Sequence, residues 1–168
     1  MSQLSLSLDT PLMVRDGRGR YRPADADQIL EAARQVIEQK MQRGETFTSP
    51  EAVKDYLRAK LAGYEQEVFA MLFLDTRHRL IDYVEMFHGT IDAAEVHPRE
   101  VVKLALRLNA AAVIVSHNHP SGNPEPSAAD KAMTAQLRQG LALVDVRTLD
   151  HVIVAGSRTT SFAERGLL

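Results

Sequence analysis

The feature that most constrains the fold is an apolar run at residues 109–115, followed by a polar loop with three prolines and a helical pattern from Ser127. An apolar run of this length, bounded by turn residues, is typical of a buried strand. Because side chains two apart on a strand project from the same face, His117 and His119 are expected to converge. Asp130 falls in the first turn of the following helix and can approach the same point. The sequence therefore predicts a strand–loop–helix unit that gathers two imidazoles and a carboxylate.

These three residues have the composition of a metal site. Two histidines and one carboxylate are a frequent catalytic zinc set, in which the fourth position is left for water. Zinc acidifies that water towards neutrality and makes it a nucleophile. A purely structural interpretation is also open, because Ser127-x-x-Asp130 is close to a helix capping box, which needs no metal. The two interpretations are compatible, since a carboxylate is held firmly in the first turn of a helix.

Composition narrows the class of protein further. The chain has 168 residues, which suits one domain with an adequate core. It contains no cysteine, which excludes a disulfide framework and a thiolate metal site and argues against the zinc deaminases. No apolar run approaches the roughly 18 residues of a membrane span, and the first ten residues do not resemble a signal peptide. We therefore expect a cytoplasmic protein with no membrane association.

The charge distribution gives limited support to a nucleic-acid partner. The net charge is −2, so the chain as a whole has no basic footprint. Residues 14–22 are a local exception, because four arginines with glycines and a tyrosine could contact a phosphate backbone. The alternative is a solvated extension that Gly17 and Gly19 keep loose. We interpret residues 1–24 as a flexible N-terminal arm.

Hydrophobic periodicity predicts helices and strands along the rest of the chain. Helices are predicted at residues 25–43, 50–62, 98–108 and 127–143. The first helix and the linker after it make up an N-terminal segment at residues 25–47. Strands are predicted at residues 67–74, 79–87, 110–116, 150–155 and 158–162. Strands interleaved with helices in this order indicate an α/β fold, with a mixed sheet flanked by helices.

The spacing of the candidate ligands resembles that of a known family. His117-x-His119, seven residues, Ser127, two residues and Asp130 match the metal-binding pattern of the JAMM (MPN+) metallopeptidases without a gap. The sequences at residues 117–122 and 161–168 are similar to the RadC-like bacterial branch of that family. This resemblance implies an MPN/JAB fold, cytidine-deaminase-like in outline, for residues 48–168. It also implies one Zn²⁺ per chain, held by His117, His119 and Asp130.

The same resemblance implies two catalytic groups. A zinc-bound water needs a base, and in similar proteins a Glu at the start of an earlier strand serves. Glu67 matches that position because it opens the apolar run at residues 68–74, although Glu65 and Glu85 are rival carboxylates. Ser127 is expected by resemblance to donate to the oxyanion that forms on a substrate carbonyl. From its position alone, Ser127 is equally explained as a helix cap.

The remaining histidines have no partner at metal-ligand spacing, and we expect them to be structural. They are His78, His88, His97 and His151. His151 is the one with a further interpretation, because the Asp150-His151 pair could support a metal ligand from behind. Asn118 alternates with His117 and His119 and is expected to face away from the metal.

The sequence thus predicts a zinc-dependent hydrolase, metallopeptidase- or isopeptidase-like, whose metal-activated water attacks an amide carbonyl of a protein or peptide. One alternative is a DNA-repair or mobile-element-associated protein that acts on or near DNA. Proteins of the RadC-like branch often carry a helix-hairpin-helix segment ahead of the MPN domain, and no such segment is visible before residue 48. A second alternative is a non-catalytic MPN interaction module, in which the metal ligands are typically lost.

Overall fold

A five-stranded mixed sheet forms the centre of the computed structural model, which describes residues 11–40, 46–47, 49–89 and 96–168. The helices are α1 (Ala26–Lys40), α2 (Pro50–Leu61), α3 (Pro98–Arg107) and α4 (Ala128–Ala142). The strands are β1 (Met13–Arg15), β2 (Tyr21–Pro23), β3 (Val68–Leu74), β4 (Leu80–His88), β5 (Ala112–Asn118), β6 (Arg147–Ala155) and β7 (Arg158–Ser161). The sheet order is β4-β3-β5-β6-β7, and β5 and β6 are its parallel pair. The predicted α/β class is confirmed.

Both faces of the central strands are buried. Successive residues of β3 alternate between two apolar clusters: Val68 and Ala70 face α2, whereas Phe69 and Met71 face α3 and α4. Every residue of β3 and β5 is buried, which explains why both strands read as continuous apolar runs rather than as alternating patterns. Because β5 follows the same alternation, its odd-numbered residues, including His117, lie on the α3–α4 side of the sheet.

β5 extends further than the sequence indicated, through His117 to Asn118. Its parallel pairing with β6 continues to Asn118 opposite Val154. The N–H of His119 then donates to the carbonyl of Val154 at 2.8 Å, so the alignment with β6 persists one residue beyond the strand. Both histidines are therefore fixed by the backbone of a central strand, and only the residues after His119 form the loop.

The helices follow the predicted segments closely. Ser49 caps α2, with its side chain accepting from the N–H of Ala52, and α4 begins directly after Ser127. The predicted helix at residues 25–43 is seen as α1 up to Lys40, and its last three residues lie outside the described part of the chain. Among the described residues, no helix is both long enough and apolar enough to cross a membrane.

Part of the segment interpreted as a flexible arm folds into an antiparallel ribbon of β1 and β2. Met13 pairs with Pro23, and Arg15 pairs with Tyr21. The carboxylate of Asp16 closes the turn by accepting from two backbone N–H groups. Gly19 adopts a positive φ of 79° in this turn, a conformation that glycine tolerates readily. The sequence does not reveal this ribbon, because three-residue strands are too short to show a period.

Substitution of Leu57 tests the core between α2 and the sheet. Leu57 is fully buried, so Leu57→Ala should lower the free energy of unfolding by about 2–5 kcal/mol through lost contacts and a residual cavity. Leu143→Ala is the matched control, because Leu143 is 86% exposed. The control should change stability by at most about 0.5 kcal/mol. Urea denaturation followed by circular dichroism measures both values, and equal stability of the two variants would contradict the described packing.

Candidate metal centre

Three side chains meet at the end of β5 and the start of α4. Nε2 of His117 lies 2.9 Å from Nε2 of His119 and 3.3 Å from Oδ1 of Asp130, and Nε2 of His119 lies 3.5 Å from Oδ2 of Asp130. In a tetrahedral zinc site with bonds of about 2.0–2.1 Å, neighbouring ligand atoms are about 3.3 Å apart. The observed separations bracket that value. The structure thus brings together the three residues that the spacing selected, in a geometry that fits one ion.

A capping box at the start of α4 fixes the carboxylate. The hydroxyl of Ser127 accepts from the N–H of Asp130 at 3.0 Å, and Oδ2 of Asp130 accepts from the N–H of Ser127 at 2.7 Å. This reciprocal pair orients the carboxylate and leaves Oδ1 facing Nε2 of His117. The structural and ligand interpretations of Ser127 and Asp130 are therefore not alternatives, because the cap is what aims the carboxylate.

Hydrogen bonds behind the imidazoles orient both rings. Nδ1 of His119 lies 2.7 Å from the carbonyl oxygen of Asn123. A carbonyl oxygen can only accept, so this nitrogen carries a proton, and in the neutral ring Nε2 of His119 presents a lone pair to the site. Nδ1 of His117 lies 2.8 Å from Nε2 of His151, so the Nε2 atoms of His117 and His119 face the same point.

The charge at this point is suited to a cation. Burial raises the pKa of Asp130, but its contacts with His117 and His119 outweigh burial and hold the pKa well below its usual range. The hydrogen bond that the protonated ring of His119 can donate to the Asp130 carboxylate raises the pKa of His119 against the opposing effect of burial. Burial lowers the pKa of His151 well below its usual value, so that ring is neutral. The site is thus an ionised carboxylate beside two ring nitrogens, which attracts a positive ion.

A cavity of about 450 Å³ opens onto the site, and Glu67 lines it together with His119, Ser127 and Asp130. Glu67 directly precedes β3. In the β3–β5 register Phe69 is paired with His117 and lies on the α3–α4 side of the sheet, and Glu67 precedes Phe69 by two residues. Residues two apart along an extended chain project to the same side, which agrees with Glu67 and Phe69 both lining this cavity.

The two rival carboxylates do not share a cavity with Asp130. Glu65 lines a neighbouring cavity with Asn118 and His119, and that cavity contains neither Asp130 nor Ser127. The carboxylate of Glu85 accepts from the hydroxyls of Tyr64 and Tyr83, each at 3.1 Å. Of the three acids considered from sequence, Glu67 is the one that shares a cavity with Asp130.

Asn118 holds the turn that carries Glu67. Oδ1 of Asn118 accepts from the N–H of Val68 at 2.7 Å, and its Nδ2 donates to the carbonyl of Gln66 at 3.0 Å. These two bonds bracket Glu67 in the chain. The expectation that Asn118 faces away from the ligands did not reveal this role, although a polar side chain on a buried strand must find hydrogen-bond partners. One strand end thus supplies ligands on one face and a backbone clamp on the other.

The C-terminal residues pack behind the ligands. Phe162 stacks on the ring of His151 with centroids 4.5 Å apart and an interplanar angle of 26°. The carboxylate of Asp150 accepts from the N–H groups of His151 and Ala163, at 2.7 and 2.9 Å, and from the hydroxyl of Ser161 at 2.6 Å. The segment at residues 161–164 therefore forms part of the support for His151.

The other histidines lie away from the site. His78 occupies the turn before β4 with a φ of 59°, and His97 precedes α3 and meets Phe87 edge to face. His88 ends β4 with its side chain 47% exposed. Within the residues that the structure describes, none of them joins a cluster that could hold a metal ion.

Comparison of the sequence with known proteins identifies related chains. The family model described as a RadC-like JAB domain matches residues 47–167. A UPF0758 protein of Vibrio cholerae is 60% identical over 140 residues, which are 83% of this chain and 88% of the relative. A UPF0758 protein of Methylibium petroleiphilum is 55% identical over 152 residues, 90% of this chain and 68% of the relative. The names of these relatives state no activity.

Removal of a ligand tests the metal centre. Purified protein should contain about one zinc per chain, and His117→Ala or His119→Ala should lose it because two remaining ligands hold zinc poorly. His88→Ala is the matched control, since this exposed ring lies outside the cluster. Elemental analysis by plasma mass spectrometry after dialysis gives the stoichiometry. Unmutated protein without stoichiometric metal, or unchanged zinc in His117→Ala, would contradict the assignment.

Substitution of Asn118 tests the clamp on the Glu67 turn. Asn118→Ala leaves the N–H of Val68 without its partner in a buried position, which should lower the free energy of unfolding by about 1–3 kcal/mol. Gln66→Ala, the control, removes an exposed side chain from the same turn. Its cost should be at most about 0.5 kcal/mol. Chemical denaturation of metal-free protein compares the two, and a loss no larger in Asn118→Ala than in Gln66→Ala would show that the clamp does not stabilise the turn.

Proposed function

The chain belongs to the RadC-like JAB domain family, and on that premise we propose that it is a zinc-dependent hydrolase that cleaves an amide or isopeptide bond. The observation that carries this proposal is the meeting of three metal-ligand residues in one cluster, of which His119 and Asp130 line a cavity together with Glu67 and Ser127. The mixed sheet flanked by helices agrees with the JAB fold that the sequence resemblance implied.

His117, His119 and Asp130 would hold the ion. A bound Zn²⁺ lowers the pKa of a water molecule to about 7 and polarises a carbonyl oxygen. Three protein ligands rather than four are typical of a catalytic site, since a structural zinc site is closed by four. The donor set of nitrogen and oxygen atoms agrees with a chain that has no cysteine.

Glu67 is the proposed general base and acid. It lines the cavity together with His119 and Asp130, and Asn118 fixes the backbone on both sides of it. A carboxylate placed there can take the proton of the attacking water as its oxygen bonds to the substrate carbonyl carbon. The same group then delivers that proton to the leaving nitrogen as the carbon–nitrogen bond breaks.

Ser127 is the proposed donor to the oxyanion. Its hydroxyl acts as the acceptor in the capping box, so the hydroxyl proton is not used by that bond. Ser127 lines the cavity beside Asp130. A hydroxyl held by a helix cap is a preorganised donor, which stabilises the negative charge that develops on a carbonyl oxygen during attack.

The two alternatives from sequence receive less support. The ribbon of β1 and β2 carries the arginines considered for nucleic acid, but Arg20 pairs with Asp16 at 3.3 Å and Arg15 donates to the carbonyl of Gly19. Binding to nucleic acid stays a prediction from sequence. The presence of all three candidate ligands argues against a non-catalytic interaction module, in which such residues are typically lost.

Activity of a Glu67 variant tests the hydrolase. Mixtures of fluorogenic peptides and isopeptide-linked substrates serve as probes, because they present many amide bonds at once. Glu67→Gln should reduce turnover by about 10²- to 10⁴-fold while the protein keeps its zinc. Glu65→Gln is the matched control and should retain turnover, because the cavity that Glu65 lines contains neither Asp130 nor Ser127.

Two results would contradict the proposal at different points. Turnover that survives in Glu67→Gln but disappears in Glu65→Gln would show that the base is assigned to the wrong carboxylate. Turnover that continues after the metal has been removed with a chelator would exclude zinc from the reaction.

A further inference from the structure

A buried chain of hydrogen bonds connects two of the proposed ligands behind the site. The hydroxyl oxygen of Thr134 lies 2.5 Å from the backbone carbonyl oxygen of Asp130 and 2.6 Å from Nδ1 of His151. Nε2 of His151 lies 2.8 Å from Nδ1 of His117. Thr134, His151 and His117 are each at most 2% exposed. The chain therefore runs from the backbone of one ligand to the ring of another, sealed from water.

The carbonyl at one end determines the direction of every bond in this chain. A carbonyl oxygen can only accept, so the single hydroxyl proton of Thr134 points to Asp130. The oxygen of Thr134 must then accept from His151, which places the proton of that ring on Nδ1. In a neutral imidazole the other nitrogen is an acceptor, so Nε2 of His151 accepts from Nδ1–H of His117. Nε2 of His117 consequently keeps its lone pair.

The surroundings of His151 disfavour a charged ring and hold the ring in one orientation, so the direction of these hydrogen bonds is not reversed. Its two ring-nitrogen partners are a hydroxyl and an imidazole, so an imidazolium at this buried position would lose hydration without gaining a carboxylate. Phe162 stacks on one face of the ring, and Phe69 meets it edge to face at 6.4 Å. The carboxylate of Asp150 holds the backbone N–H of His151. The ring is thus fixed in orientation as well as in tautomer.

We propose that Thr134 and His151 are positioning residues that hold His117 as its Nδ1–H tautomer and thereby set the metal affinity of the site. This inference rests on the proposed metal centre, but not on which bond the protein cleaves. Partners of this kind typically change metal affinity by about 10- to 100-fold. Thr134 lies one turn after Asp130 on α4, so a single helix both supplies one ligand and orients another.

The first experiment measures zinc affinity by competition with a chromophoric chelator. Thr134→Val keeps the shape of the side chain but removes the hydroxyl, and it should weaken zinc binding by about 10- to 100-fold. Thr134→Ser restores the hydroxyl and should return the affinity close to that of the unmutated protein. Thr160→Val is the matched control, because Thr160 is 3% exposed and its hydroxyl has no hydrogen-bond partner among the described residues. Zinc affinity should be unchanged in Thr160→Val.

A ring variant covers the case in which Thr134→Val does not fold. His151→Phe keeps an aromatic ring to stack on Phe162 but removes the acceptor for His117, whereas His151→Gln retains a carbonyl acceptor. Zinc binding should be weaker in His151→Phe than in His151→Gln. Zinc affinity equal to that of the unmutated protein in Thr134→Val or in His151→Phe would overturn the inference.

The second experiment observes the tautomer directly and needs no metal. Nitrogen-15 spectra of the imidazoles of the metal-free protein at alkaline pH should show His117 protonated at Nδ1, and Thr134→Val should lose this preference. Finding His117 protonated at Nε2 in the unmutated protein would overturn the inference. A protein that shows the expected tautomer but binds no zinc would instead refute the proposed metal centre, so the two failures are distinguishable.

Discussion

The site depends on the burial of β5 at the centre of a sheet covered on both faces. Because every residue of this strand is buried, each side chain at its end must point either to the α2 side or to the α3–α4 side. His117 is thereby committed to the α3–α4 side and Asn118 to the α2 side. The ligand and the clamp on the Glu67 turn are consequences of the same alternation. A shift of one residue in the register of β5 would turn His117 to the α2 side and Asn118 to the α3–α4 side, and both the ligand and the contact with the Glu67 turn would be lost.

The start of α4 completes the arrangement by serving two purposes at once. The capping box between Ser127 and Asp130 satisfies backbone N–H groups at the helix N-terminus, as many helices do. Here the same bonds aim a carboxylate at two imidazoles and leave a hydroxyl at the rim of the cavity. The hydrogen bonds of the helix cap thus orient the Asp130 carboxylate without additional residues. One turn further along the helix, Thr134 contacts His151, which in turn orients the ring of His117.

The strand–loop–helix unit was predictable from sequence because its signals are local: an apolar run, prolines in the loop and a cap spaced before a periodic segment. The Asp150-His151 pair suggested that His151 could support a metal ligand, but local patterns did not identify His117 as its partner, since the contact joins residues 34 apart in the chain. It depends on the parallel β5–β6 register, which shifts between Val113 and Ile114. Such an irregularity leaves no sequence pattern, yet it decides which residue of β6 lies behind His117. The role of Asn118 is likewise a tertiary contact, with a turn some 50 residues earlier.

The proposed chemistry depends on His117, His119 and Asp130 binding one metal ion together. Anomalous X-ray scattering at the zinc absorption edge, from crystals of the unmutated protein, tests it most directly. If the three residues share one zinc ion, we expect one peak about 2.0–2.2 Å from Nε2 of both histidines and from a carboxylate oxygen of Asp130. A crystal grown with zinc that shows no peak there, or that shows the three side chains bound only to one another, would contradict the account.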